Sequence, residues 1–154
     1  MAFVHLKRAL MLLCFSMTLG ASATPAANTG ALTKRDVVCQ NISGTLISEI
    51  NTSGCIDVLL DRGAENEICS ATGTDVVMVE QIGDAAIFVI NALGTGIAAA
   101  GCGDVAVAAQ NIINACSDPN TGLLKGRAPA PTNPNLIVMI DSSHSSIPPC
   151  NPCF

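Results

Sequence analysis

Residues 102–116, CGDVAVAAQNIINAC, carry the strongest periodic signal in the sequence. Six side chains fall at the spacing i, i+3, i+4, i+7, i+8 and i+11, which places them on one side of an α-helix. All six are apolar: Val105, Ala108, Ala109, Ile112, Ile113 and Cys116. The segment therefore predicts an amphipathic helix with one continuous buried stripe.

Strand-like segments lie on both sides of this helix. Residues 76–79 and 85–90 are apolar runs separated by a short loop that contains Gly83, a pattern typical of a β-hairpin. A loop rich in Pro, Gly and Asn over residues 117–134 then leads to LIVMI, residues 136–140, which predicts a last buried strand.

The first part of the domain predicts one more strand and one more helix. Residues 37–39 form a short β-favouring stretch, and a helix is expected from an N-cap at Ser53 to a stop at Gly63. An earlier start is the alternative, because the apolar residues at 46, 47 and 50 also have helical spacing, but Gly54 disfavours it.

The resulting order, β-α-β-β-α-β, is that of the ferredoxin-like arrangement. It predicts an α+β sandwich stapled by disulfides, with two helices on one face of a four-stranded antiparallel sheet. Strands one and three are expected to run parallel at the centre of that sheet. Both helix N-termini are then expected at the same end of the domain.

This topology makes a prediction about the cysteines. Cys55 and Cys102 share the end that holds the helix N-termini, so they are predicted to pair. Cys102 cannot pair with Cys116, because 14 helical steps hold their Cα atoms roughly 21 Å apart, whereas a disulfide needs about 7 Å or less. The other five are expected at the opposite end, where two bridges form and one thiol remains: Cys39, Cys69, Cys116, Cys150 and Cys153.

The Cys-x-x-Cys in the closing residues IPPCNPCF is interpreted as a staple rather than a redox pair. Prolines around Cys150 and Cys153 forbid the helix that a redox motif needs at its thiolate. At least one of the two is predicted to anchor the tail at the end that holds Cys39, Cys69 and Cys116. The other is the main candidate for the unpaired thiol, either free or linking two chains in a homodimer.

The first 35 residues predict targeting and processing. An apolar run shorter than the roughly 20 residues of a membrane span precedes a small-residue stretch, so residues 1–23 are interpreted as a signal peptide cut after Ala23. Residues 24–35 are interpreted as a propeptide that ends in the dibasic pair Lys34 and Arg35. A basic pair in an ordinary linker is the alternative.

The predicted mature chain is small and acidic. A single domain over residues 36–141 and a tail over residues 142–154 rich in Ser, Pro and Cys follow the processing site. Three of the seven Lys and Arg and all twelve Asp and Glu remain, so the formal charge is −9. Nucleic acid and anionic membrane surfaces are therefore poor partners. The predicted location is extracellular, without a stable membrane anchor.

The sequence offers weak candidates for chemistry. The letters around His144, DSSHSS, could supply a triad, but a solvated linker is the favoured interpretation. Asp57 and Asp61 are expected on the wet face of the first helix, and the glycines before residue 102 are explained by turns. No catalytic, cofactor or metal site is predicted. Two sequons, at Asn41 and Asn51, are compatible with N-glycosylation, and Asn51 is the better candidate.

Several segments together resemble those of small cysteine-rich secreted fungal proteins of the killer-toxin-like effector type. They are the secretion signal, the dibasic end, GCGDVAVAAQNIINAC, the hairpin VVMVEQIGDAAIFVI and NLIVMI. The resemblance covers residues 36–141 and implies a ferredoxin-like fold and a role in antagonism or host interaction. It also implies a cysteine after the hairpin turn, where this chain has Ala85 or Ala86, which would account for the odd cysteine count.

The expected function is therefore that of a secreted, non-enzymatic protein that binds an unknown protein or cell-surface target of a host or microbe. Membrane permeabilisation is the alternative that the toxin resemblance implies, with the apolar residues 85–100 as its candidate segment. A secreted hydrolase is the third class.

Overall fold

The computed structural model describes residues 37–40 and 47–144. In this part of the chain the helices are α1 (Glu49–Ala64) and α2 (Cys102–Cys116). The strands are β1 (Val38–Cys39), β2 (Ile47–Ser48), β3 (Ile68–Thr72), β4 (Val76–Ile82), β5 (Ala85–Asn91), β6 (Ile97–Gly101), β7 (Leu123–Leu124), β8 (Gly126–Ala130) and β9 (Asn133–Ser142).

Five of these strands form the main sheet, in the order β1-β8-β9-β5-β4, and every neighbouring pair is antiparallel. The long apolar strands β5 and β9 lie side by side, with Phe88 opposite Met139. The remaining strands form two ribbons, β2–β7 and β3–β6.

The fold consists of two halves with the same order of elements, β2-α1-β3-β4-β5 and β6-α2-β7-β8-β9. Each half pairs its first strand with the strand that follows the helix of the other half. The same backbone contact begins both helices: the Glu49 N–H donates to the Gly122 carbonyl and the Cys102 N–H to the Glu67 carbonyl, each at 2.9 Å. The topology of the described residues is therefore approximately two-fold symmetric about the β5–β9 pair.

Both helices pack on one face of the main sheet. The predicted stripe of α2 is buried there, with Val105, Ala108 and Ile112 fully inaccessible, against side chains such as Ile87 and Val138 from the central strands. Burial of this stripe is the main source of helix stability, because isolated helices of this length are marginal in water.

The helices approach each other closely where α1 ends and α2 begins. A Cβ atom added to Gly63 would lie 2.5 Å from the backbone nitrogen of Gly103 and 2.6 Å from its Cα. Glycine at position 63 is therefore required by the packing of one backbone on another. The sequence prediction that Gly63 stops the helix is wrong, because α1 continues through it to Ala64.

Three predicted elements are confirmed: α2, the β4–β5 hairpin and the last strand β9. The predicted start of α1 at Ser53 is wrong, because Ser48 is the N-cap. Gly54 is accommodated inside the helix, where a side chain would meet Ile82 at 2.9 Å. The alternative of an earlier start was therefore the better one.

The predicted four-stranded sheet with strand one at its centre is wrong. β1 is a two-residue edge strand beside β8, and β8 lies in the segment predicted to be a loop. Pro129 concealed β8 in the sequence; it sits next to the register shift between β8 and β9, where a missing N–H is tolerated. The structure is α+β with both helices on one face, and the ferredoxin-like strand order is not confirmed.

Candidate functional site

Two disulfides brace α2 at its two ends. Cys39 in β1 pairs with Cys116, the last residue of the helix, with a Cα–Cα distance of 5.3 Å. Cys69 in β3 pairs with Cys102, the first residue of the helix, with a Cα–Cα distance of 5.0 Å. The Cys69–Cys102 bridge joins the two halves of the fold, and the Cys39–Cys116 bridge attaches the edge strand β1 to the second half.

The predicted pair between Cys55 and Cys102 is wrong. β3 pairs with β6, which leads directly into α2, so Cys69 lies at the start of α2 instead of at the far end of the domain. The Cys55 thiol faces the β4–β5 hairpin and donates to the Ala85 carbonyl at 3.8 Å. Cys55 is the free cysteine of the described residues and is buried.

The predicted anchoring of the tail to the end that holds Cys39, Cys69 and Cys116 is also wrong, because all three already have partners. Cys150 and Cys153 lie outside the described residues. Of the seven cysteines in the predicted mature chain, four therefore form two bridges and Cys55 is a buried thiol. Cys55 replaces a tail cysteine as the leading candidate for the unpaired thiol.

Burial makes the Cys55 thiol a poor nucleophile. Desolvation raises its pKa from 9.0 to about 11, outweighing a hydrogen bond from the Ile82 backbone, and the charge of Glu80 adds to the rise. The thiolate is the reactive form of cysteine. The thiol therefore serves as a small apolar side chain against the hairpin.

This pKa shift predicts a loss of stability at high pH. Between pH 9 and 11 the unfolded chain releases the thiol proton while the folded chain keeps it, so rising pH favours unfolding. We expect the free energy of unfolding to fall by about 1.4 kcal/mol per pH unit in that window. Urea unfolding at pH 8, 9, 10 and 11 measures this. A Cys55→Ala variant should lack the slope, and an equal slope in both proteins would contradict the assignment.

The triad that could be drawn from residues 141–146 does not form in the described residues. The Asp141 carboxylate is buried and engaged by the ammonium of Lys125 at 2.7 Å. Its other oxygen accepts from the Ser142 backbone N–H. The His144 side chain is exposed at the end of the described chain. Asp141 therefore orients a lysine and its own backbone, not an imidazole.

The other acidic candidates are solvated, as predicted for Asp57 and Asp61, which are exposed on α1. Glu67 is held by Arg62, which also donates to the carbonyl of Val79 at the β4 bulge at 2.6 Å. Within residues 37–40 and 47–144, no group of three His, Cys, Asp or Glu side chains is placed to hold a metal ion.

The helix N-termini are occupied by contacts within the protein. In the first half the Asn51 amide donates to Asp84 in the β4–β5 turn at 2.8 Å. In the second half the Thr132 hydroxyl, from the β8–β9 turn, donates to Asp104 at 2.6 Å. A glycan on Asn51 would replace one of the amide protons. Ala23, Lys34, Arg35 and the other sequon at Asn41 lie outside the described residues.

One open pocket of about 370 Å³ lies beside the start of α1. Ile50 and Leu123 supply apolar surface, and the hydroxyls of Ser48, Ser53 and Thr121 supply polar groups.

The outer side of the β3–β6 ribbon carries exposed apolar side chains that the sequence did not predict. We call it the ribbon face; its side chains alternate with the buried ones and carry no charge: Ile68, Ser70, Thr72, Ile97, Ala99 and Gly101. Ile68 is 65% exposed and Ile97 is 72% exposed, with Leu93 in the preceding loop at 63%. In the sequence, the signal for this face is the two-residue alternation of outward and buried positions in ICSAT (residues 68–72) and IAAAG (residues 97–101).

The comparisons with known proteins give a family without an assigned activity. A family model described as "Domain of unknown function (DUF8794)" matches residues 34–142. No curated protein and no solved structure matches the chain. In the described part of the chain no helix is long and apolar enough to cross a membrane.

Proposed function

The chain belongs to the DUF8794 family, whose description names no activity, and we propose from its own geometry that it is a secreted, non-enzymatic protein that binds a protein partner of a host or microbe. The single observation that carries this proposal is the ribbon face. Ile68 and Ile97 are largely exposed although apolar side chains are stabilised by burial. Exposed apolar surface of this kind marks contact sites on other proteins.

The absence of charge on the ribbon face supports a protein partner. The predicted mature chain carries twelve acidic and three basic side chains, yet the six outward positions of the ribbon are all uncharged. Interface cores are depleted in charged residues in the same way. An extended apolar ribbon thus suits burial against a partner better than permanent exposure to solvent.

Secretion is supported by the two disulfides, because such bridges persist in oxidising compartments. The resemblance to killer-toxin-like effectors points in the same direction. A binding role also fits the state of the ionisable groups: Asp141 is engaged by Lys125, and the Cys55 thiol is buried.

Two charges placed on the ribbon face should weaken the contact with the partner and so reduce the biological activity of the protein. We expect Ile68→Asp with Ile97→Asp to reduce activity at least about tenfold, because each unpaired charge in an apolar contact costs more than 1.4 kcal/mol. Growth inhibition of competing microbes and responses of host cells, measured with purified residues 36–154, provide the readout. The melting temperature should stay unchanged, because both side chains are already exposed.

The matched control is Leu60→Asp with Val107→Asp, which places two charges on the outer sides of the helices at positions 47% and 45% exposed. This variant should keep its activity. Equal activity of the ribbon variant and this control would rule out the ribbon face as the contact site.

Membrane permeabilisation is tested separately. Its candidate segment, residues 85–100, forms strand β5 and most of strand β6, and β5 is buried throughout. We therefore expect no dye release from liposomes at micromolar protein. If the added protein released dye from liposomes made of lipid alone, no protein partner would be needed, and the permeabilising function would replace the binding proposal.

A further inference from the structure

The strand β4 at the edge of the main sheet has a sequence suited to pairing with a further strand. In the described part of the chain it is the last strand of the sheet and pairs with β5 alone. Its seven residues, VVMVEQI, contain five apolar side chains, one charge and neither proline nor glycine, a composition typical of segments that associate as strands. Met78 and Gln81 are exposed, so this edge is accessible from solvent.

Two side chains occupy backbone groups in the middle of this strand. Nη1 of Arg62, from the last turn of α1, donates to the Val79 carbonyl at 2.6 Å. The Glu80 carboxylate accepts from the Gln81 backbone N–H at 3.2 Å. Val79 is the extra residue of the β4 bulge, and such a residue is left out of the pairing with the neighbouring strand. An incoming strand at the free edge would need the same carbonyl and the same N–H.

Arg62 and Glu80 are also linked to each other. Nη1 of Arg62 lies 3.6 Å from Oε2 of Glu80, and its Nε donates to Glu67, so carboxylates hold the guanidinium on two sides. The Arg62 side chain is 31% exposed, and ion pairs with this much access to water contribute little to folding stability. The main consequence of the arrangement is therefore at the edge, where it supplies the donor and the acceptor that a neighbouring strand would supply.

We propose that the Arg62–Glu80 pair keeps β4 from pairing with β4 of a second copy of this chain. An antiparallel β4–β4 contact would use the same edge in both copies, as a two-fold symmetric contact requires. Proteins protect edge strands with bulges and charged side chains, and β4 has a bulge at Val79 and a charge at Glu80. The free edge of β4 is thus the self-association surface of the chain, and this side-chain pair closes it.

Removing both side chains tests the proposal. Arg62→Ala with Glu80→Ala leaves the net charge unchanged, because one positive and one negative group are lost together, and it adds no apolar bulk. We expect the dissociation constant of the dimer to fall at least about tenfold relative to unmodified residues 36–154, because hydrogen-bonding groups are freed on both copies. Sedimentation from micromolar to millimolar protein measures this constant. A variant that keeps both disulfides and sediments like the unmodified protein would overturn the proposal.

Further variants assign the effect to the edge. Glu67→Gln removes a partner of Arg62 but leaves both edge contacts, so it should sediment like the unmodified protein. Adding Gln81→Pro to the double variant removes the N–H from the free edge, where proline is tolerated, and should restore the original constant. Dimers that persist in this triple variant would contradict the proposal, because they would use another surface such as the ribbon face.

A single substitution keeps the test valid if the double variant does not fold. Arg62→Ala frees the Val79 carbonyl while Glu80 stays on the Gln81 N–H. We expect it to lower the dissociation constant at least about threefold, because one group per copy becomes available. An unchanged constant in this folded variant would show that Arg62 does not guard the edge.

Discussion

Replacing Gly63 by alanine is expected to destabilise the protein by about 3 kcal/mol or more, which lowers the melting temperature by roughly 12 °C or more for a domain of this size. The new Cβ would lie 2.5 Å from the backbone nitrogen of Gly103. A backbone atom cannot move aside by changing rotamer, so the whole N-terminus of α2 has to shift. That terminus is held by the Cys69–Cys102 bridge and by the Cys102 N–H bond to Glu67.

The matched control is Gly103→Ala at the same crossing. A Cβ on Gly103 lies 3.6 Å from the Cα of Gly63, an ordinary contact distance. Since alanine also favours helix over glycine by roughly 0.5–1 kcal/mol, this variant should be as stable as the original protein or slightly more stable. Urea and thermal unfolding of the three proteins measure the difference. Equal losses in both variants would show that the helices do not cross as described.

The same two glycines show how far the sequence predicted the fold. The stripe from Val105 to Cys116 identified α2 and its buried side, because a periodic pattern reports which residues face the core. A glycine near a helix end has two explanations, a stop or a close approach, and local sequence does not distinguish them. The sequence analysis explains Gly63 as a helix stop, whereas the structure explains it by the close approach to Gly103.

The strand pairings were less predictable because they depend on contacts distant in sequence. β3 and β6 are short, and their pairing brings Cys69 to Cys102. The predicted four-stranded sheet contained neither strand, so it placed these two cysteines at opposite ends of the domain. The duplicated order of elements was also hidden, since the two halves share topology without an evident repeat of residues. The alternation in ICSAT and IAAAG indicates two strands with one exposed side each, but the ribbon face forms only when these strands pair, and that pairing is not visible in the sequence.

The second large effect is on stability and comes from adding a disulfide partner for the unpaired Cys55. We expect Ala85→Cys to form a bridge with Cys55 when the protein is refolded with glutathione. The Cys55 sulfur already lies 3.8 Å from the Ala85 carbonyl, and both residues are fully buried in the cluster under the helices. Closing a loop of this length stabilises a protein by roughly 3–4 kcal/mol in the chain-entropy model.

The neighbouring residue provides the control and explains which of the two alanines matters. Ala86 belongs to the cluster on the opposite face of the sheet, because successive side chains of a strand point to opposite sides. Ala86→Cys should therefore leave Cys55 reduced and stability unraised. Peptide mapping without reduction should find residues 55 and 85 linked in the first variant alone. If Cys55 stayed reduced in both, its thiol would not face the hairpin, and the odd cysteine would need another explanation.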